Sequence, residues 1–475
     1  MFAHWKKNRS ERVRKSRSLT SLILCLCILL GFVFSACGSA SSVPSSPAAD
    51  PSAVPETPPS PLTDDPAVPD AGDPAPAEEP SGEKTEAPSP AEAETGGEQA
   101  EPETPVPEDA APAERKARRV DFSVKVNNIS TTAPTDDNPY SVQKFERSAR
   151  MRLFLDEPVS SLYFIWNDFP GKFFITVDGT RYEYDGSRYL HQFVELPQAS
   201  ADILIAMPNR RTQLCDLYAF TEGAPPDWVQ VWESLGEDET ADMLLFPTHS
   251  DDEFLFFGGV IPLYAGEQGK KLQVVYMNIY MEDYVIRTHE LLNGLWSAGC
   301  RIYPVINDQV DVLFDSVEEA AAYYGYDNFV SFQVEMIRRF KPKVIVEHDF
   351  DGEYGHPTHI FNAYCLADAV NMAGSAEYYP ESAEQYGVWD TPKTYFHLYP
   401  ENPIVLDFET PLAHFDGATA ADIAARAYGY YYSQHPYYWG VFFSGPYDCH
   451  KWGLYRSTVG LDEAGGDMFE NIPEN

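Results

Sequence analysis

Two folds in series are expected from this 475-residue chain: an all-β sandwich and, after it, an open, mostly parallel α/β sheet. Three observations predict them. Over 120–221 short runs rich in β-branched and aromatic residues recur between turn signals such as Asp178-Gly179 and Asp185-Gly186. After Glu237-Asp238-Glu239 apolar strands alternate with helical patterns. Ahead of both lies a stretch whose composition cannot build a core.

The first 37 residues carry seven Lys/Arg and one acid, followed by an apolar run over 22–34 that ends Phe34-Ser35-Ala36-Cys37-Gly38. A basic start, a short apolar core and small residues before a break describe an export signal. The core of 13 residues is short for a stable span, which needs about 20. Its end is similar to a bacterial lipobox, in which Cys37 takes the lipid, although Phe34 stands where that motif prefers Leu. An uncleaved anchor is the alternative. Both place the remainder outside the cytoplasm, tethered to a membrane.

Residues 38–118 hold 18 of the 39 prolines and 18 acids against four bases. Such a segment buries almost nothing and is expected to be disordered. At about 3.1 Å per residue it reaches roughly 250 Å as a spacer.

Residues 119–230 read as the sandwich, with strands at 151–155, 161–166, 173–177, 193–196 and 202–206. Sandwiches of this kind often bind glycans, yet no residue here marks a sugar site. Residues 240–475 read as the α/β domain. Its strands are 243–246, 272–277, a short one near Ile302, and 344–347; its helices are 253–267, 286–298, 329–340 and 358–370. Strands alternating with helices of this length indicate a Rossmann-like doubly wound sheet, whose ligands sit beyond the carboxyl ends of the strands.

Charge and cysteines bound the function. A formal net charge of −39 excludes a nucleic-acid partner, because that affinity comes largely from Lys/Arg on phosphates. Cys215, Cys300, Cys365 and Cys449 are scattered; three full pairings and a reduced state all stay open. No Gly-x-Ser-x-Gly elbow and no phosphate-binding loop is present.

Two polar clusters sit at strand ends. Pro247-Thr-His249-Ser250-Asp251-Asp252-Glu253 follows the first α/β strand, and His348-Asp-Phe-Asp-Gly-Glu353-Tyr354-Gly355-His356-Pro357-Thr358-His359 follows the fourth. Two turns that merely cap helices would need Asp or Ser. They have less use for the four histidines these runs contain. Imidazoles and a carboxylate from two such loops can close on one Zn²⁺ and leave a position for water.

The pattern resembles the PIG-L/LmbE-like family of zinc-dependent N-acetylglucosaminyl deacetylases. Its His-Pro-Asp-Asp-Glu turn is matched by His249-Ser250-Asp251-Asp252-Glu253, with Gly258-Gly259 following. Its later Gly-His-Pro-Asp-His is matched by Gly355-His356-Pro357-Thr358-His359, and Arg287-Thr-His-Glu290 is similar to its Arg-x-x-Glu helix. The tail, Gly453 to Gly460 and Asp467 to Glu470, resembles a bacterial subgroup. The resemblance implies that His249, Asp252 and His359 hold zinc and that Asp251 is the general base. It places His356, protonated, at the developing oxyanion with Tyr354 nearby, and Arg287 on the sugar. Ser250 departs from the usual Pro, and Thr358 from an Asp whose orienting role Asp349, Asp351 or Glu353 could take.

The resulting expectation is a surface lipoprotein that removes N-acetyl groups from an extracellular sugar or cell-wall polysaccharide. Two alternatives stand beside it. Two His and a carboxylate also make a non-haem iron triad, and a glycan-binding lipoprotein with a degenerate α/β domain needs no chemistry. The tyrosines of 428–432 and Tyr437-Tyr-Trp439 are read as core before sugar platform, His289 and His435 as structural. His397, His414 and His450 lack a partner pattern. The charge divides into +6 over 1–37, −14 over 38–118 and −31 over 119–475, which favours a neutral or amine-bearing glycan.

Overall fold

The computed structural model describes residues 115–278, 285–437 and 439–473. The export segment with Cys37, and the spacer as far as residue 114, lie outside the described residues. All described residues fall within one compact unit, 103–475.

Residues 115–220 build two sheets in which every pairing is antiparallel. One runs Arg119–Val120, Thr212–Phe220, Val159–Trp166, His191–Ser200, with Gln143–Phe145 also on Thr212–Phe220. The other runs Ile129–Thr131, Phe122–Val126, Arg150–Leu155, Ile203–Ala206, Gly171–Val177, Thr180–Gly186. The five strands expected here are present, with ends moved by a few residues. Arg150–Leu155 alternates exposed and buried along most of its length, as a strand with one face on a core must. Trp166 and Phe164 of the first sheet meet Phe173 of the second, each with ring centroids 5.4 Å apart.

The second half is an α/β layer around a seven-stranded mixed sheet. Its order is Val305–Ile306, Leu272–Tyr276, Met243–Leu245, Val344–Glu347, Lys393–His397, Lys451–Ser457, Pro403–Val405. The first five strands are parallel; Lys451–Ser457 runs antiparallel to both of its neighbours, so Pro403–Val405 beyond it runs in the direction of the first five. Chain order reverses between Met243–Leu245 and Val344–Glu347, which are hydrogen-bonded neighbours. That reversal opens a crevice at their carboxyl ends.

Two expectations need correction, and one helix was not expected. The helix expected over 253–267 is broken into Asp252–Leu255 and a π-helical turn, Pro262–Glu267. Gly258 takes φ +54° between them, where an added Cβ would lie 2.5 Å from Cys449 Cβ, and Pro262 lacks the N–H that a continuous helix uses. The strand near Ile302 is a single bridge to Glu233, and the strand proper is Val305–Ile306. The helix Val317–Tyr324 went unread, its Ser316 cap notwithstanding. The helices Val285–Ser297, Tyr326–Phe340 and Pro357–Met372 stand close to their expected places.

The two halves share a core. Leu190 N–H donates to Tyr303 Oη at 3.2 Å, and the Tyr189 and Tyr303 rings lie 5.1 Å apart. Beside them runs a buried polar chain: His191 Nδ1 to Gln230 Oε1 at 2.7 Å, His191 Nε2 to His289 Nδ1 at 2.9 Å, and His289 Nε2 to Cys215 Sγ at 3.6 Å. Among the described residues no helix is long and apolar enough to cross a membrane.

Candidate metal centre and cavity

Both polar clusters lie at the crevice. Strands Met243–Leu245 and Val344–Glu347 are fully buried, so the first polar residues beyond them face each other. Asn362, on Pro357–Met372, ties the two ends together. Its Nδ2 donates to Phe246 O, Thr248 Oγ1 and Glu347 Oε1, each at 3.1 Å.

Three atoms converge there. His249 Nδ1 lies 3.1 Å from His359 Nε2 and 3.2 Å from Asp252 Oδ2, and Asp252 Oδ2 lies 3.3 Å from His359 Nε2. Nitrogen and oxygen ligands about 2.0–2.1 Å from a tetrahedral ion lie about 3.4 Å apart. The outer nitrogens are occupied: His359 Nδ1 is 2.8 Å from Glu353 Oε2, and His249 Nε2 is 3.3 Å from Asp311 Oδ1. A carboxylate on the outer nitrogen fixes the tautomer whose lone pair points inward, the usual support for a metal-bound imidazole. Donor chemistry, spacing and outer partners therefore fit a divalent cation. Burial works against charge on His249, but Asp311 and Asp252 outweigh it and lift its pKa to about 10. Burial likewise disfavours the Asp252 anion, and His359, His348 and His249 still hold it well below the carboxylate range.

His348 also stands 3.4 Å from Asp252 Oδ2, and it can be grouped with Asp252 and His359 as a ligand set. Its Nε2, however, accepts from Thr248 N–H at 3.1 Å, and its Nδ1 faces Glu353 Oε1 at 3.1 Å. With both nitrogens engaged, it buttresses the site. Glu353, whose side chain is fully buried, holds His348, His359 and also His397 Nδ1 at 3.2 Å. Of the three acids that could stand in at Thr358, Glu353 is the one on a histidine ligand. Thr358 Oγ1 itself has no partner.

Asp251 is outside this triangle and beside it. Its backbone has φ 127°, a region costly for a side-chain-bearing residue, and such strain needs the surroundings to hold it. Glu253 Oε2 accepts from Asp251 N–H at 2.8 Å, and Tyr431 Oη donates to Glu253 Oε1. Arg287 donates to Ser250 O and lies 3.3 Å from Asp251 Oδ2. Burial raises the Asp251 pKa to about 6, against the pull of Arg287. Burial raises Glu253 further, to about 8.

These groups open into a cavity of about 580 Å³. His249, Asp251, Asp252 and Arg287 line one part, and Tyr354, His356, Tyr437 and Trp439 another. His359 is buried beneath it. Arg287 reaches the cavity, but its guanidinium is also committed to Ser250, Asp251 and Ser433 Oγ at 3.2 Å. At His356 burial, with His359 and His249 adjacent, lowers the pKa to about 2, which works against the protonated form. Its Nδ1 has no hydrogen-bond partner. Tyr354 is exposed and tilts over Trp439 at 4.9 Å.

Asp311 and Tyr431 were missed, and the reason is distance: Asp311 is 62 positions from His249 in the chain, and Tyr431 is 178 from Glu253. His397 has a partner after all, because its strand lies beside Val344–Glu347. The tyrosine run divides. Tyr428 and Tyr431 are buried, Tyr437 and Trp439 line the cavity. His289 belongs to the buried chain between the halves. His435 is exposed beside Tyr432, His414 meets Glu267, and His450 meets Asp448. The four described cysteines are all free and buried.

No protein-family profile matches the chain. Curated relatives do. A 1D-myo-inositol 2-acetamido-2-deoxy-alpha-D-glucopyranoside deacetylase of Rhodococcus erythropolis is 31% identical over 180 residues, 32% of this chain and 60% of that one. A second of that description, from Catenulispora acidiphila, is 26% identical over 194 residues, 34% of this chain and 56% of that one. The chain thus spans somewhat over half the length of these relatives. The solved N,N'-diacetylchitobiose deacetylase of Pyrococcus horikoshii is 14% identical, covering 42% of this chain and 75% of that one, with a TM-score of 0.30. That superposition is too slight to bear on more than itself. Relatives that are deacetylases of an N-acetylglucosamine conjugate bear out the resemblance read from the two motifs: the chain is PIG-L/LmbE-like.

Proposed function

We propose that this chain is a zinc-dependent amidohydrolase that removes the acetyl group from an N-acetylglucosamine-type sugar outside the cell. One observation carries the reading. His249 Nδ1, Asp252 Oδ2 and His359 Nε2 converge within 3.3 Å of one another, and Asp251 stands next to them on the wall of the same cavity. The deacetylase relatives support the reaction class.

His249, Asp252 and His359 would hold the zinc. When bound, it supplies a Lewis acid for the acetamide oxygen and lowers the pKa of water towards about 7. The remaining work falls to the protein. Asp251, adjacent to a ligand and outside the ligand set, takes the proton of the attacking water as the new C–O bond forms at the acetyl carbon. Arg287 and Glu253 hold Asp251 in that place, a positioning role for Arg287 beside any contact with the sugar. His356, neutral and with a free ring nitrogen, has one N–H to offer the developing oxyanion, with Tyr354 at the same wall. As the C–N bond breaks, the proton on Asp251 passes to the leaving amine; acetic acid, which still carries the second proton of the water and loses it to solvent as acetate, and the free amine depart.

Residues 1–37 serve, on this reading, as a lipoprotein signal with Cys37 lipidated, and 38–118 as a spacer from the membrane. The two antiparallel sheets over 119–230 form an accessory sandwich ahead of the catalytic domain of 240–475. Cell-wall polysaccharide is the substrate source that fits such an anchor.

Metal analysis and acetate release on N-acetylglucosamine oligomers test the proposal together. One zinc per chain and chelator-sensitive acetate release are expected. Asp251→Asn should retain the zinc and lose about 10²- to 10⁴-fold in kcat. Full activity in that variant removes Asp251 from its role. Zinc without acetate release from any glycan would favour a binding protein.

A further inference from the structure

A second cleft adjoins the cavity across one ridge of chain. The ridge follows the helix Ala420–Tyr428 and continues as the 3-10 turn Tyr432–Tyr437. Its residues alternate in destination. Tyr431 is fully buried and donates to Glu253 beneath Asp251. Ser433, Gln434 and Tyr437 line the 580 Å³ cavity. Tyr430 and Tyr432, 38% and 59% exposed, line instead an open cleft of about 420 Å³ with Arg426, Ile423 and Ser297. Residues 432 and 433 are consecutive and line different clefts, so the two clefts lie on either side of one segment of backbone.

The ridge is held rigidly. Ser433 N–H and Oγ donate to Glu290 Oε1 and Oε2 at 2.8 and 2.6 Å, and Arg287 Nη1 donates to the same Oγ. The backbone that carries the two exposed rings is therefore tied to the wall of the cavity through Ser433. Neither cleft is out of range for a small-molecule site, about 300–1,000 Å³. The second offers what a pyranose needs: flat aromatic faces for its C–H side, tyrosine hydroxyls, and the guanidinium of exposed Arg426 for hydroxyl or acetamide oxygens. An anionic polymer is disfavoured by the formal charge of −39.

We propose that Tyr430, Tyr432 and Arg426 form an auxiliary sugar subsite, so that the substrate is a neutral oligosaccharide lying across the ridge rather than a single sugar. One unit occupies the cavity for deacetylation and a linked neighbour packs on the tyrosines. The occupant of the cavity rests on the deacetylase reading; the subsite itself is read out by binding.

Calorimetry with N-acetylglucosamine and its tetramer, on the zinc-loaded full chain, measures it. The tetramer should bind more tightly than the monosaccharide. In Tyr430→Ala/Tyr432→Ala, the ratio of tetramer to monosaccharide affinity should fall about tenfold, as loss of stacking on two rings implies. Arg426→Gln, which leaves the rings in place, should lower the ratio by a smaller factor. Equal affinities in the wild type, or an unchanged ratio in the double variant with native circular dichroism, overturn the subsite. Acetate release is scored separately. Release without length preference keeps the deacetylase reading and removes the subsite; tyrosine-dependent tetramer binding without release does the reverse.

Discussion

Glu353 does more for the centre than its place in the sequence declares. One buried carboxylate accepts from His348, His359 and His397, on two strand ends and one helix. Glu353→Gln keeps the shape but turns one oxygen into an NH₂ group, which cannot accept from a ring N–H. The tautomer of His359 then loses its anchor. Zinc affinity should fall about 10- to 100-fold, as for other outer-shell partners of metal-bound histidines, measured by competition with a chromogenic chelator. Unchanged affinity would mean that His359 is oriented by packing alone. The histidines and acids of both motifs were legible in the sequence because they are local runs. The carboxylates behind them were partly so: Glu353 lies within the second run, whereas Asp311 comes from a loop no pattern connects to His249.

The elements that carry these residues show why local reading stops where it does. The pair Gly258-Gly259 stood out beside the first motif, and its reason is contact rather than a regular helix. A Cβ on Gly259 would lie 2.6 Å from Phe408 Cδ1 and 2.9 Å from Ala420 Cβ. Gly259→Ala should cost about 1–3 kcal/mol by overpacking, read from denaturant unfolding. The helix Val285–Ser297 makes a different case. It brings Arg287 to Asp251 and, two residues on, His289 to His191 of the antiparallel sheets. Burial lowers the His289 pKa to about 4 and pushes His191 well below its usual value. Both are neutral when folded and gain a proton near pH 6.5 when unfolded. The unfolded state therefore binds more protons between about pH 6.5 and 4, and stability falls as pH drops through that window. His289 alone accounts for a loss on the order of 3 kcal/mol across it. His289→Asn should flatten the fall in Tm between pH 7.5 and 5; an unchanged slope would place the acid sensitivity elsewhere.

At the scale of the molecule, the antiparallel sheets and the α/β sheet behave as one body. One apolar cluster draws buried residues from both, among them Trp166, Met151, Trp232, Met243 and Trp452. Tyr303 receives the 189–191 segment of one half from the other. Thermal unfolding followed by calorimetry should show one transition for residues 103–475. Two transitions would mean that the shared surface is a docking contact between independent folds.

The sequence by itself determined the order of folds, the strand–turn–helix rhythm, the two motifs and the histidines and acids they contain. These follow from periodicity and from short-range chemistry, which neighbouring residues decide among themselves. It also marked a change of character along the chain, from cationic to proline-rich to folded, because composition alone decides whether a segment can bury itself. Only the tertiary structure decided that His249, Asp252 and His359 meet within 3.3 Å, and that Glu353 and Asp311 stand behind two of them. It also decided that burial beside His359 and His249 depresses the His356 pKa, and that Tyr431 turns inward while its neighbours face a second cleft. Each of these depends on which groups, tens to hundreds of residues apart, share a buried volume. Desolvation and through-space charge act on that proximity, and a one-dimensional pattern does not carry it.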